Sequence, residues 1–248
     1  LDLLIVSGGG QLDDFWGGAW GYPWTLLAWS ALARLQGVPV GVLAVGVDHL
    51  QSWLSRRFAE WSLLLARHRS FRDAESLAAM RAIAGPVGGA SCAAVAYGLR
   101  AAASNPHPRR HAPFAVVNPV THRIWTQAED PRHARYVENL ASGALHVAER
   151  GLAIRVACSQ SRMDGAVAES LVAVLQAHGV AEVTMWPTPL VEDYVDLVRD
   201  AEVVIASRYH GIVLALATGT PVVALAPLPK MHYAMKQAEM VDLCLPLQ

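Results

Sequence analysis

The chain has 248 residues, of which 53% are hydrophobic and 17% are charged, and its formal net charge is −1. This length and composition allow one sizeable core or two modest ones. The balanced charge excludes a broad basic surface for nucleic acid or for an anionic membrane, so that any anion site must be local.

Short apolar runs alternate with longer amphipathic stretches from the first residue onward, which predicts α/β units around parallel sheets. In the first half, the predicted strands are residues 3–6, residues 38–45 and a short strand that ends near Phe71. Pro23 suits the first turn of a helix over residues 24–36, which Gly37 ends. Asp73 can cap a helix that holds residues 76–84. The apolar residues 25–47 do not predict a membrane span, because Arg34, Gln36, Gly37 and Pro39 interrupt them.

A proline-rich basic segment over residues 101–113 has no periodicity and is the predicted linker. It separates a predicted N-terminal domain, residues 1–105, from a predicted C-terminal domain, residues 112–248. The predicted strands of the second half are residues 114–117, 153–158, 182–186, 203–206 and 222–226. Its predicted helices are residues 131–150, 166–178, 191–199 and 212–217. Gly151, Gly179 and Gly219 fall where left-handed helix caps are expected.

The most informative motif is Ser-Arg-Tyr-His-Gly at residues 207–211, between a buried strand and a short helix. This context places Arg208 and His210 beyond the carboxyl end of a strand and beside a helix N-terminus, where anions bind. A permanent cation, a titratable imidazole and a helix dipole then meet at one place. The motif therefore predicts a site for a small phosphorylated or carboxylated substrate.

Two further cations are predicted at strand ends. Arg72 follows the short third strand, and Lys230 lies in the predicted loop after residues 222–226. Each has a structural alternative, because Arg72 could form a surface ion pair with a capping Asp73 and Lys230 could simply be solvated. His210 could likewise cap the helix or pack at its start.

Five motifs in this order resemble those of the polysaccharide pyruvyl transferase family. They are Ser-Gly-Gly-Gly-Gln-Leu at 7–12, Phe-Arg-Asp-Ala-Glu-Ser at 71–76, Glu-Asp-Tyr at 192–194, the motif at 207–211, and Pro-Lys at 229–230. The resemblance implies an α/β fold of two Rossmann-like domains that face a cleft, as in glycosyltransferases of the B type. It implies transfer of the enolpyruvyl group of phosphoenolpyruvate to a sugar, which forms a pyruvate ketal. It also implies further chain before Leu1 and after Gln248, so the N-terminal domain is expected to be truncated.

The chemistry of that transfer fits the residues of the motif. His210 is the natural proton carrier because imidazole titrates near neutral pH. Arg208 and Arg72 would neutralise the carboxylate and the departing phosphate, with Ser207 and Lys230 as further donor-binding residues. Arg208, His210 and Arg72 are expected to approach one another across the cleft.

The resemblance also implies an acceptor side in the first half. Gly9, Gly10 and Asp13, together with Asp14, belong to a turn that faces the cleft in the family, and three glycines let a ligand approach the backbone closely. The aromatic residues that follow could contact sugar rings or pack in the core; these are Phe15, Trp16, Trp20, Tyr22 and Trp24.

Cofactors and partners follow from the same reasoning. Cys92, Cys158 and Cys244 are far apart, which predicts reduced, mostly buried thiols in a cytoplasmic protein. No metal is expected, because the histidines near the linker lack ligand spacing; these are His107, His111, His122 and His133. No cofactor is expected beyond phosphoenolpyruvate as the donor substrate. The expected acceptor is a sugar or a lipid-linked glycan, which would allow peripheral membrane association through the acceptor, and no nucleic acid partner is expected.

Two other functions stay open at this point. A glycosyltransferase of the same architecture would hold a nucleotide sugar in the C-terminal half, although residues 222–226 offer no acidic side chain for a ribose. A non-catalytic protein that binds or assembles glycans is the third possibility.

Overall fold

The computed structural model describes residues 1–15, 17–47, 50–85, 88–99, 112–121 and 131–246. The chain divides into two compact units, Leu1–Val95 and Ala96–Gln248. Each unit contains one parallel sheet. Most of the predicted linker, residues 101–111, lies outside the described residues, so the exact domain bounds stay a prediction.

Unit 1 is a four-stranded sheet in which neighbouring strands follow the chain order. Its strands are β1 (Leu4–Ser7), β2 (Val40–Val45), β3 (His68–Phe71) and β4 (Ala90–Ser91). Its helices are α1 (Tyr22–Leu35), α2 (Trp53–Leu65) and α3 (Ala74–Ala84), and a short 3-10 turn, Gly18–Trp20, precedes α1. The core lies between the helices and the sheet, where Val42, Leu63, Phe71 and Met80 are fully buried.

The local signals of unit 1 act as the sequence indicates. Pro23 lies in the first turn of α1, and Gly37 has a φ of 75° just after it. The Asp73 side chain accepts a hydrogen bond from the Ser76 N–H, which confirms the predicted cap of α3. The sequence analysis did not single out α2, whose buried face includes Phe58 and Leu63.

Unit 2 is a six-stranded parallel sheet. Its strands are β5 (Phe114–Asn118), β6 (Ala153–Val156), β7 (Val183–Met185), β8 (Val203–Ala206), β9 (Val222–Ala226) and β10 (Cys244–Pro246). The helices described in this unit are α4 (Pro131–Ala148), α5 (Ser161–Ala177), α6 (Val191–Asp200), α7 (Tyr209–Thr218) and α8 (Pro229–Gln237). The central strand β5 is buried along its whole length, as expected for a parallel strand covered on both faces.

The strand order of unit 2 is β10-β9-β8-β5-β6-β7. The chain thus runs outward from β5 through β6 to β7, and then outward on the other side from β8 to β10. Asn118 at the end of β5 pairs with Ala206 at the end of β8. This is the Rossmann order, in which ligands bind beyond the carboxyl ends of the two central strands, where the order reverses.

Three of the element boundaries that differ from the sequence prediction affect candidate residues. α7 begins at Tyr209 rather than at residue 212, so that His210 lies inside the helix and not before it. α5 begins at Ser161 rather than at residue 166, and its N-cap residue Gln160 makes no side-chain cap hydrogen bond. Lys230 lies in the first turn of α8 and not in a loop, because the fixed φ of Pro229 suits the first helical position. The predicted caps are confirmed, since Gly151, Gly179 and Gly219 have φ angles of 84°, 81° and 77°.

None of the helices in the described parts of the chain is both long and apolar enough to cross a membrane.

Candidate functional site

Arg208 is the second residue after β8, and a carboxylate from another element fixes its guanidinium. Its Nε donates to Oδ2 of Asp164 and its Nη2 donates to Oδ1, both at 2.7 Å. Asp164 is fully buried, whereas the Arg208 side chain is 16% exposed. Two parallel charge-assisted hydrogen bonds fix the plane of the guanidinium as well as its position. Arg208 is therefore a pre-oriented cation at the switch point of the sheet.

Asp164 also joins two other segments to this site. Its Oδ1 accepts a hydrogen bond of 2.8 Å from the Thr121 N–H, which follows β5. The Thr121 hydroxyl in turn donates to the Met163 carbonyl at 2.7 Å. One buried carboxylate thus connects the chain after β5, the first turn of α5 and the chain after β8.

Sequence analysis missed Asp164 because it started α5 too late. A signal was present, since Ser161 and Asp164 have the spacing of a helix-start motif, Ser-x-x-Asp. That motif predicts the helix start but not the contact with Arg208, which lies 44 residues further along the chain.

His210 lies in the first turn of α7, with Arg208 as the N-cap residue. Its side chain is exposed, and its ring meets that of Tyr209 edge-on with centroids 5.8 Å apart. The first backbone N–H groups of a helix have no carbonyl of the same helix to bond, which makes this end favourable for an anion. The exposed His210 side chain is therefore accessible from solvent at this end of the helix.

Gly211 lets α7 approach the end of β5 closely. A Cβ at this position would lie 2.4 Å from Oδ1 of Asn118 and 3.1 Å from the hydroxyl of Tyr194. The Asn118 amide nitrogen donates to the Ala157 carbonyl at 2.7 Å. Among the described residues, Asn118 Oδ1 and the Tyr194 hydroxyl have no hydrogen-bond partner although they are buried. The glycine of the motif is therefore required by packing against the switch point.

The interior beneath the site keeps its thiol and phenol groups neutral. Burial is the main cause that raises the pKa of the Cys158 thiol to about 11, and the nearby Asp164 carboxylate adds to the effect. Burial also raises the pKa of Tyr136 to about 12, and its hydroxyl accepts a 2.9 Å hydrogen bond from the Val120 N–H. Burial raises the pKa of Tyr194 as well. Ser207, directly before Arg208, is fully buried and its N–H donates to the Asn118 carbonyl at 2.9 Å.

In unit 1, Arg72 is buried rather than on the surface. Its side chain is 4% exposed and its Nε donates to Oδ2 of Asp73 at 3.1 Å. The ion pair with the capping Asp73 therefore exists, but it is not the solvated pair of the structural alternative. A Cβ on Gly46 would lie 2.1 Å from Cζ of Arg72, so the guanidinium lies directly against the Gly46 backbone.

Gly46 also contacts the glycine turn after β1. Its N–H donates to the Gly9 carbonyl at 2.8 Å. Gly8 and Gly9 have φ angles of 64° and 66°, which only glycine adopts without strain. The carboxyl ends of β1, β2 and β3 thus hold the Gly9 turn, Gly46 and Arg72 together. Sequence analysis missed Gly46, which carries no motif of its own.

The acidic residues after the turn have different contacts. Asp13 is half-buried, and its Oδ1 accepts a 3.3 Å hydrogen bond from the Phe15 N–H. Asp14 Oδ2 accepts from the N–H groups of Gln51 and Ser52 at 3.1 and 3.0 Å, which fixes the start of α2. Gly9 is exposed and Gly10 is half-buried. Trp16 lies outside the described residues.

The candidate residues fall into two groups, one in each unit. Ser207, Arg208 and His210 occupy one segment of unit 2, and Lys230 begins the helix after the neighbouring strand β9. Arg72 belongs to unit 1, so its approach to His210 stays a prediction. Within the described ranges, no group of three or more His, Cys, Asp or Glu side chains could hold a metal ion; His107, His111 and His122 lie outside those ranges.

A comparison with protein-family models matches residues 1–229 to the polysaccharide pyruvyl transferase model. The chain belongs to the polysaccharide pyruvyl transferase family. This result confirms the resemblance seen in the five ordered motifs. A sequence comparison with curated proteins gives no match.

Solved structures with a similar fold include two UDP-GlcNAc 2-epimerases. The enzyme from Neisseria meningitidis, bound to UDP-GlcNAc, is 12% identical with a TM-score of 0.59, and the match covers 98% of this chain and 63% of that one. The enzyme from Methanocaldococcus jannaschii is 10% identical with a TM-score of 0.59, and the match covers 99% of this chain and 66% of that one. The chain thus spans slightly less than two thirds of their length. The likeness confirms the predicted glycosyltransferase-B-like α/β fold with parallel sheets.

Proposed function

We propose that the protein transfers the enolpyruvyl group of phosphoenolpyruvate to a sugar and forms a pyruvate ketal. The observation that carries the proposal is the Arg208 guanidinium, fixed by the buried Asp164 beside the N-terminus of α7 and the exposed His210. Membership of the pyruvyl transferase family supports it.

Phosphoenolpyruvate carries a phosphate and a carboxylate, so its site needs several cationic or N–H donors. Unit 2 offers the outer N–H groups of Arg208, the first amides of α7 and the half-buried Lys230 at the start of α8. In the proposed arrangement, Arg72 of unit 1 supplies a second cation on the opposite side of the substrate. Its buried contacts with Asp73 and Gly46 support a fixed guanidinium rather than a solvated one.

The proposed reaction begins when His210 donates a proton to the methylene carbon, which makes the adjacent carbon electrophilic. A sugar hydroxyl attacks that carbon, the bond to the phosphate oxygen breaks, and a second hydroxyl closes the ketal. Of the two protons that the hydroxyls release, one balances the proton on the new methyl group and the other leaves with the phosphate. Arg208 and Arg72 stabilise the negative charge on the departing phosphate.

The proposed acceptor side is the glycine turn of unit 1, including Gly9, Gly10 and Asp13. The exposed backbone of Gly9 leaves room for a glycan to approach. The reaction needs no resident cofactor, because phosphoenolpyruvate supplies both the transferred group and the leaving group. A cytoplasmic location is part of the proposal, and the free thiols of Cys92, Cys158 and Cys244 support it.

The test combines donor titration with product analysis. The protein is titrated calorimetrically with phosphoenolpyruvate and, separately, with UDP-GlcNAc. It is then incubated with phosphoenolpyruvate and a panel of free and lipid-linked sugars, and phosphate release and product mass are measured. We expect phosphoenolpyruvate to bind, a sugar to gain a pyruvate ketal, and Arg208→Ala to abolish both. Binding of UDP-GlcNAc without binding of phosphoenolpyruvate would overturn the proposal.

A reaction of nucleotide sugars is the second candidate, because the fold matches enzymes solved with UDP-GlcNAc. In a Rossmann-like unit, an acidic side chain near a strand end commonly holds the ribose. β9 is wholly apolar, Val-Val-Ala-Leu-Ala, and offers no such group. The titration above separates the two candidates directly.

A further inference from the structure

The outer side of the helix pair α1 and α2 in unit 1 is apolar and exposed. Six exposed side chains form what we call the outer stripe: Trp24, Leu32, Leu35, Trp53, Trp61 and Leu64, which are between 42% and 84% exposed. Solvent-facing helix surfaces are normally polar, and scattered single apolar residues need no explanation. A set that recurs at helical spacing on two neighbouring helices does.

Helical geometry places these residues on the solvent side of each helix. In α1, Leu32 and Leu35 lie eight and eleven residues after Trp24, which places all three on one side of the helix. The buried side of α1 consists of Pro23, Leu26, Ser30 and Ala33. In α2, Trp53, Trp61 and Leu64 repeat the same spacing opposite buried Phe58 and Leu63. α1 is therefore apolar on both its buried and its exposed sides.

Ring contacts show that the two helices contribute to one surface. The centroid of the Trp24 ring lies 5.4 Å from that of Phe58 in α2, and the centroid of the Trp61 ring lies 6.2 Å from that of Phe58. Trp20, which is 66% exposed, extends this group because its ring is 5.4 Å from that of Trp24. Phe58 is the buried base on which the exposed tryptophans rest.

The charges of the two helices are almost all positive. α1 contains Arg34 and no acidic residue, and α2 contains Arg56 and Arg57 against a single Glu60. Arg57 pairs with Glu60 at 2.6 Å, so no other acidic side chain in either helix is left for Arg34 and Arg56. Arg57 is four residues from both Trp53 and Trp61, so this ion pair lies on the same side of α2 as the outer stripe. A surface of apolar side chains and arginines is complementary to one that is apolar inside and anionic at its edge.

From these observations we propose that the outer stripe docks the protein on an anionic phospholipid bilayer. Tryptophan favours the boundary between headgroups and acyl chains, where its ring is apolar and its N–H stays hydrated. Leucine adds buried area, and arginine extends its charge towards lipid phosphates. The net charge of −1 does not oppose this, because the local positive charge only supplements the apolar contact.

Two other occupants fit the surface less well. A second copy in a symmetric contact would bring the same patch against itself, so that like charges would meet around Arg34 and Arg56. A sugar would stack on a tryptophan face but would need polar partners beside it, where the stripe offers leucines. The lipid surface satisfies both the leucines and the arginines.

The experiment is vesicle flotation of the full chain without any substrate. Vesicles of phosphatidylcholine mixed with phosphatidylglycerol are compared with vesicles of phosphatidylcholine alone. The test variant is Trp53→Gln with Leu64→Gln, and the matched control is Leu190→Gln with Val191→Gln, two exposed apolar residues of unit 2. Circular dichroism checks that each variant is folded.

We expect the wild type and the control to float with the mixed vesicles, and the tryptophan fluorescence to shift to the blue. The test variant should lose binding by roughly tenfold or more, and Arg34→Gln should weaken binding only to the mixed vesicles. A wild type that does not float, or a test variant that floats equally well, overturns the proposal. The proposal is also overturned if light scattering shows that the wild type is a dimer and that the test variant is a monomer. Because no substrate is present, these outcomes are independent of the proposed reaction.

Discussion

Substitutions of Asp164 and Arg208, which form the buried ion pair, are expected to have strongly non-additive effects on the free energy of unfolding. Asp164→Asn keeps the side-chain shape but removes the charge and one acceptor oxygen from a fully buried position. Removing one partner of a buried pair costs about 3–5 kcal/mol. We expect about 2–3 kcal/mol here, because Arg208 is 16% exposed and Asn retains one acceptor. Arg208→Met should cost more, since it leaves the fully buried carboxylate without its cation.

The assay is a double-mutant cycle of Asp164→Asn and Arg208→Met. Urea unfolding is followed by hydrogen exchange of amides in β5 and β8, which reads the unfolding of unit 2 separately. The loss of unfolding free energy in the double variant should be about 2 kcal/mol smaller than the sum of the losses in the two single variants. The control is Asp196→Asn, which breaks the Arg199 pair at a residue whose side chain is 64% exposed and should cost at most about 1 kcal/mol. A coupling below about 0.5 kcal/mol would refute the reasoning.

Three further predictions concern the same unit. His210→Ala should lower turnover by roughly 10²–10⁴-fold with little change in phosphoenolpyruvate affinity, whereas Arg208→Ala should lower both turnover and affinity. Single-turnover rates measure the first quantity and calorimetry the second. Normal turnover of His210→Ala would show that the histidine takes no part in the chemistry. Gly211→Ala should lower the free energy of unfolding by about 1–3 kcal/mol, because the new Cβ overlaps a buried amide oxygen. The control is Gly165→Ala, whose Cβ meets no atom within 4 Å and which should leave stability unchanged or raise it. Equal shifts of the thermal unfolding midpoint in the two variants would contradict this prediction. The pKa of Cys158 is about 11 in the folded protein and 9.0 ordinarily, so the contribution of this buried thiol to the free energy of unfolding is complete below pH 9 and is lost as the pH rises towards 11, by up to about 1.4 kcal/mol per pH unit. Urea unfolding across this range should therefore show a smaller loss of unfolding free energy with pH in Cys158→Ala than in the wild type. An equal loss in both proteins would refute the assignment.

Features that depend on neighbouring residues in the chain could be read from the sequence. The motif at 207–211 places Arg208 and His210 beyond the carboxyl end of β8 and beside a helix N-terminus, because the strand, the polar segment and the helix are contiguous, although α7 begins at Tyr209 rather than at residue 212. The Asp73 cap likewise acts within three residues. Local propensity and hydrogen bonding determine both features.

Features that depend on parallel pairing could not be read in the same way. Asp164 reaches Arg208 only because β5 lies between β6 and β8, and no local pattern specifies that order. Gly46 meets Arg72 because β2 pairs with β3 across an irregular register. The start of α8 at Pro229 is different, since the preference of proline for the first helical turn is a local property that the sequence itself carries.

The way in which Asp164 holds Arg208 limits how an anion can bind there. Asp164 occupies Nε and one side of Nη2, which leaves Nη1 and the remaining hydrogen of Nη2 for a ligand. A substrate oxygen must therefore approach the guanidinium end-on, along the axis that points away from the carboxylate. Lysine cannot replace arginine at this position, because a single ammonium nitrogen has no second edge to offer when the first is taken. Arg208→Lys should keep the charge and still lose the direction from which the substrate is held.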